Sequence, residues 1–149
     1  AAGYRRYEIS AYARPGARCR HNLNYWEFGD YVGIGAGAHG KRSLPGPSGL
    51  HVVRTAKPAQ PRRYLADPLA TEQRLVPDAQ LPFEFLMNAL RLVDGVPRET
   101  FEPRTGLSLA TREPDWAAGV AGGLLAADRL AATPRGLRFL DAVLQGFLR

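Results

Sequence analysis

The densest chemistry in the chain lies in HNLNYW, residues 21–26, which holds an imidazole, two carboxamides, a phenol and an indole. On a helix, residues four apart share a face, so His21 would lie beside Tyr25 and Asn22 beside Trp26. A neutral imidazole is a good iron ligand, and haem iron is commonly held by histidine. Aromatic rings lie against flat apolar faces, and an asparagine can fix an imidazole or a backbone group by hydrogen bonds. Arg14, Arg18 and Arg20 are near enough in sequence to pair with propionate carboxylates. By spacing alone, a histidine beside aromatics is more often a structural residue than a ligand.

A glycine ladder follows, GIGAGAHG, in which Gly33, Gly35 and Gly37 alternate with other residues. Glycine after a strand lets backbone approach a ligand closely, and free amides can meet an anion. The other reading is a tight strand with no room for side chains. A dinucleotide fingerprint needs G-x-G-x-x-G opening a helix, whereas Pro45 and Pro47 follow here, so that reading is rejected. His39 fits a ligand, a base or a plain loop residue. His51, in a valine-rich strand, reads as structural. There is no H-E-x-x-H, P-loop or G-x-S-x-G, so no catalytic set is complete. The single cysteine, Cys19, excludes an internal disulfide and any all-cysteine metal site within one chain.

The net charge of +6 is uneven: residues 1–75 hold 12 Lys and Arg against 5 Asp and Glu, and residues 76–149 hold 8 against 9. The first part is therefore suited to an anionic partner such as a phosphate, a propionate or an acidic lipid surface, the last implying peripheral membrane association. No stretch approaches the ~18 apolar residues of a membrane span. No signal peptide opens the chain. It starts at Ala1 and enters a strand-like pattern almost at once, which reads as the middle of a longer protein.

These residues need elements to hold them. Tyr4 to Ala13 alternates enough to predict a strand with Tyr7, Ile9 and Ala11 on one face. His21 to Trp26 suits a short helix, Tyr31 to Ile34 a short strand, Ser43 to Gly49 a flexible loop, and Leu50 to Thr55 a second strand. Pro58 to Ala66 allows a short helix. From Pro82 the helical period is clear in Phe83, Leu86, Leu90 and Val93, with Gly95 as its stop. A helix from Pro97 with Phe101 inward ends at Gly106, and Pro114 starts another carrying Trp116 and Val120. Leu124–Ala126 and Leu130–Ala132 read as a small hairpin. Thr133-Pro134 caps a last helix with Leu137, Leu140, Leu144 and Phe147 on one side. The class is α+β. Its helices, hairpin and closing helix follow a winged-helix-like order, whose sharp reading is DNA binding and whose bland reading is a small packing domain. A DNA reader needs clustered cations, which residues 76–149 lack, so no nucleic-acid partner is expected.

Taken in order, YEISAYARPGARCRHNLNYWEFGDYVGIGAGAHGK resembles the segment found in HemW-type haem chaperones, with His21-Asn22-Leu23-Asn24-Tyr25-Trp26 matching their HNxxYW pattern. LPFEFLMNALRLVDGVPRETFEPRTGL and TPRG resemble that family's C-terminal domain. These are radical-SAM proteins related to oxygen-independent coproporphyrinogen III oxidases. The resemblance implies residues 1–56 as the last strands of a radical-SAM (β/α) barrel, 57–78 as a linker with a short helix, and 79–149 as the helical C-terminal domain. It implies haem binding through His21, Asn22, Tyr25 and Trp26, with His21 on the iron, and places Gly33, Gly35 and Gly37 near S-adenosylmethionine. The family's 4Fe–4S cysteines lie earlier and are absent here. The implied function is haem delivery to an apo-haemoprotein, one of the respiratory chain, by a cytoplasmic protein that forms a homodimer at full length. The alternative is a fragment of a coproporphyrinogen III oxidase, against which the HNxxYW pattern argues.

Overall fold

The computed structural model describes residues 2–46 and 49–148. The first expected strand is a hairpin, β1 (Arg5–Glu8) and β2 (Ala11–Ala13), pairing Arg5 with Ala13 and Arg6 with Tyr12. The chain turns at Ile9-Ser10, where the Glu8 carboxylate accepts the Ser10 amide at 2.9 Å. Glu8 is buried, and its other oxygen meets Arg91 at 3.4 Å. The Ile9 amide donates to the Arg91 carbonyl and the Val93 amide to the Tyr7 carbonyl, so residues 91–93 dock along β1.

The short helix is present as α1 (Arg20–Trp26). A second sheet has the order β3-β4-β5, from β3 (His39–Gly46), β4 (Gly49–Ala56) and β5 (Glu72–Leu75). The expected loop over Ser43–Gly49 is corrected in part: residues 43–46 belong to β3 and Gly49 to β4, while Pro47 and Ser48 lie outside the described residues. Pro45 is tolerated because only β4 pairs with β3 there, leaving an edge where a missing amide costs little. Of the expected strand Tyr31–Ile34, only Tyr31 pairs, exchanging two hydrogen bonds with Lys41 at 3.0 and 2.9 Å. Every strand pairing in the two sheets is antiparallel, so the described residues do not show a parallel barrel. The stretch 57–78 carries α2 (Pro61–Ala66) and also β5, whose residues are all exposed and so leave no hydrophobic pattern.

The remaining helices are α3 (Leu81–Ala89), α4 (Phe101–Thr105), α5 (Glu113–Ala121), α6 (Pro134–Arg138) and α7 (Leu140–Gln145). The inward stripe of α3 is centred on Phe85 rather than Phe83: Leu81, Phe85, Leu86 and Ala89 are fully buried, and Phe83 only partly. The helix ends at Ala89, well before Gly95. Gly95 has φ +58° and packs against the Leu130 carbonyl, where a Cβ would collide. Gly106, at φ +74°, caps α4 as expected. Thr133 Oγ accepts the Gly136 amide at 3.0 Å, so α6 starts where the sequence indicates. The last helix is broken at Phe139 (φ −120°), giving α6 and α7 in place of one. The small hairpin shrinks to the Leu125–Ala132 bridge, while Leu130 pairs with Val96. One hydrophobic cluster runs from Tyr7, Phe28 and Val52 through Phe85 to Trp116 and Phe147, so the first 56 residues share a core with the helical part. No helix among the described residues is long and apolar enough to cross a membrane.

Candidate functional site

Helix α1 buries none of its residues completely. His21 is exposed, and its ring meets Tyr25 edge to face at 4.8 Å, as the four-residue spacing requires. Tyr25 in turn lies 4.2 Å from Tyr31, which makes a three-ring stack from the helix surface to the edge of β3. Asn22 is half-buried, and its carboxamide makes no hydrogen bond to the described residues. Trp26 points differently: it packs on the core with the Arg91 guanidinium 4.4 Å above its ring, and its Nε1 is buried without a partner among the described residues. His21 and Tyr25 are thus brought together, whereas one face of Trp26 is already taken by a cation.

The end of α1 is fixed by residues that patterning does not reveal. The Gly29 amide bonds the Asn24 carbonyl at 2.7 Å and the Phe28 amide bonds that of Tyr25 at 3.0 Å, a Schellman ending with Phe28 in the left-handed position. Phe28, at φ +56°, is the one non-glycine residue with positive φ among the described residues. That backbone costs about 1–3 kcal/mol, and burying a phenylalanine ring returns about 1.5–3 kcal/mol. The ring is buried against Phe85 at 5.6 Å, so packing offsets the strain. Gly29 has no such freedom, because a Cβ there would strike the Asn24 side chain, which donates to the Asp30 carbonyl at 2.9 Å.

Lys41 lies under this corner with 1% of its surface exposed. Its ammonium donates to the Phe28 carbonyl (3.0 Å), Asp30 Oδ1 (2.9 Å) and Ser43 Oγ (3.0 Å), and sits 4.2 Å from the Phe28 ring centre. Three protons meet three acceptors, which is what makes a buried ammonium tolerable. Burial pushes the Lys41 pKa below its usual value, against the pull of Asp30. Burial also raises that of Asp30, but hydrogen bonds from Ser43 and Lys41 outweigh it and hold the carboxyl below its ordinary value. A lysine between Gly40 and Arg42 carries no pattern, so only a distant contact could have exposed its role.

The glycines divide by function. Gly33 runs so close to the His39 backbone that a Cβ would overlap it, so its bare backbone serves close packing, although it lies in no strand. Gly35 and Gly37 have φ of +107° and +72°. Their amides are not free for an anion, since Gly35 donates to the Tyr64 hydroxyl (3.2 Å) and Gly37 to the Pro58 carbonyl (2.9 Å). Beyond Tyr31 opens a cleft of about 910 Å³ between β4 and α3, lined by His39, Arg54, Arg74, Phe83 and Met87 among others. Arg54 binds Glu84 at 2.6 Å and the Tyr31 hydroxyl at 3.0 Å, tying the end of the ring stack to α3. Burial, the largest influence, raises the Tyr31 pKa although Arg54 opposes it. His51 is half-buried in β4, as a structural residue would be.

A family model described as HemN C-terminal domain matches residues 76–139. The chain is 45% identical to the protein named Heme chaperone HemW of Escherichia coli (strain K12), over 99% of its own length and 39% of that protein's. For the Heme chaperone HemW of Haemophilus influenzae the identity is 44%, covering 99% and 38%. Radical S-adenosyl methionine domain-containing protein 1, mitochondrial, of Bos taurus is 46% identical over 61 residues, 38% of this chain and 14% of that protein. No solved structure gives a significant match. The chain spans about two fifths of the length of the curated relatives it matches. Over 99% of its length the chain is thus a homologue of proteins named Heme chaperone HemW, of which it matches only the C-terminal portion.

Proposed function

We propose that this chain is the C-terminal portion of a radical-SAM haem chaperone, with α1 as a docking helix for haem that is passed to an apo-haemoprotein of the respiratory chain. Haem is cargo here. The observation that carries the reading is the exposed His21 imidazole, supported on one side by Tyr25 and open on the other, in a chain 45% identical to a protein named as a heme chaperone. An imidazole held edge-on to one ring keeps a nitrogen accessible to an axial position on iron. The Tyr25 ring offers apolar surface beside it, and the uncommitted Asn22 carboxamide can orient the imidazole or a carboxylate. Trp26 would act through one edge only, since Arg91 covers a face. The coproporphyrinogen oxidase alternative is not favoured, because the relatives matched over the chain's length carry the chaperone name.

The 4Fe–4S cluster and S-adenosylmethionine belong, in this proposal, to a preceding radical-SAM barrel, with residues 1–56 adjoining it and 79–149 forming the C-terminal domain. One cysteine cannot supply a cluster's ligands, and no group of three His, Cys, Asp or Glu is suited to a metal among the described residues. Gly33, Gly35 and Gly37 would face S-adenosylmethionine through close backbone approach, not through free amides at Gly35 and Gly37. The test is a haem titration of the protein and its His21→Ala variant, read at the Soret band. A shifted band and at least about tenfold weaker binding in the variant are expected. Identical spectra and affinities would remove His21 from the iron.

A further inference from the structure

The hairpin register does something the order of residues hides. Pairing Arg5 with Ala13 brings β1 beside Arg14, and the turn through Gly16, at φ +76°, folds Arg18 back onto the same spot. Arg5, Arg14 and Arg18 then line one concavity of about 270 Å³, floored by Tyr7 and Ala13. No carboxylate is among its lining residues. Two of the guanidiniums lie over aromatic rings: Arg14 over Tyr4 at 5.2 Å and Arg18 over Tyr7 at 5.8 Å. Asp94, outside the lining, pairs with Arg18 at 2.7 Å, while Arg5 and Arg14 have no carboxylate partner among the described residues. Like charges around one hollow repel, and an oxyanion between them relieves the repulsion with charge-assisted, planar hydrogen bonds. The space is below the ~300–1,000 Å³ of pockets that enclose whole small molecules, so it suits one anionic group of a larger ligand. Arg18 precedes His21 by three residues, at most about 11 Å of extended chain.

We propose that Arg5, Arg14 and Arg18 form a carboxylate seat for a propionate of the porphyrin whose iron faces α1. This rests on the haem-docking reading above. Arg20, grouped with Arg14 and Arg18 by sequence distance, is not part of the seat, and Arg5 takes its place. The test uses an iron-free ligand, so that His21 ligation cannot contribute. Protoporphyrin IX and its dimethyl ester are titrated into the protein by fluorescence, alongside the Arg5→Gln/Arg14→Gln variant, His21→Ala and an exposed control, Arg135→Gln. The diacid should bind about tenfold more tightly than the diester. That gap should close in the double variant, with circular dichroism unchanged, and persist in Arg135→Gln and His21→Ala. Equal binding of diacid and diester by the unmodified protein, or an unchanged gap in the double variant, overturns the seat. Capture of phosphatidylserine vesicles through the same two arginines without a diacid–diester gap also overturns it, in favour of a lipid surface. If His21→Ala keeps full haem affinity while the gap stands, the ligation reading falls and the seat survives. If neither haem nor porphyrin binds, both fall.

Discussion

Helices α1 and α3 are of similar length, seven and nine residues, and are held in opposite ways. In α3, five residues are buried and its Phe85 ring joins Phe28 and Phe101 at the centre of the core. In α1 none is fully buried, no side chain caps its start, and its histidine faces solvent. Isolated helices shorter than about 12–15 residues are marginal in water, so neither persists on propensity. The helix α3 is fixed by the apolar surface it buries. The helix α1 rests on the core only through the partly buried Leu23 and Trp26, and is fixed further by its exit, where Phe28 enters the core and Lys41 gathers the carbonyl behind it. A chemistry-bearing surface can thus stay exposed if a neighbouring residue carries the anchoring.

Substitutions should separate the two modes. Phe85→Ala removes the ring both modes share and should cost about 3–5 kcal/mol in urea unfolding; a cost under about 2 kcal/mol would place the centre of the core elsewhere. Lys41→Met keeps bulk but strips the donor from the Phe28 carbonyl and Asp30, and should cost about 1–3 kcal/mol. Amide exchange should quicken in α1 more than in α3, and equal quickening would mean that the anchor is not local. The same variant should alter acid sensitivity. An unfolded chain protonates Asp30 near pH 3.8 while the folded carboxyl, held lower, still refuses the proton. That contribution is complete above the unfolded value and is lost as pH falls through the folded one. Lys41→Met raises the folded value, so the fall in stability below pH 3.8 should become shallower; an unchanged slope would dissociate Lys41 from Asp30.

Trp26→Phe deletes the unpaired buried Nε1–H and weakens the Arg91 contact, effects of opposite sign that should leave stability within about 1 kcal/mol. A larger loss would reveal a partner for the indole. Smallest in stability is His21→Ala, expected within about 0.5 kcal/mol because the residue is exposed. A sizeable loss of stability there would make the imidazole structural and withdraw it from haem.

Local signals were legible where the chain satisfies itself within a turn or two. The His21–Tyr25 contact, the Thr133 cap and the Gly106 ending follow from spacing and residue type. Legibility failed where a partner is remote. Pro45 and Gly46 carry loop signals, yet pair in β3 because β4 returns opposite them. Polar, exposed β5 has no periodicity and is a strand only through its ladder with β4. Phe28 gives no hint of left-handed backbone until Phe85 is beneath it.

Sequence by itself determined the kinship, the excess of cations before residue 76, the helix carrying His21 and the turns imposed by glycine and proline. These depend on composition or on neighbours within four residues, which backbone geometry brings together in any fold. Only the tertiary structure decided that Arg5 stands with Arg14 and Arg18, that Tyr31 extends the aromatic stack, and that Lys41 lies buried beneath the exit of α1. Hairpin register and core packing set those meetings, and both depend on contacts between residues far apart in the chain.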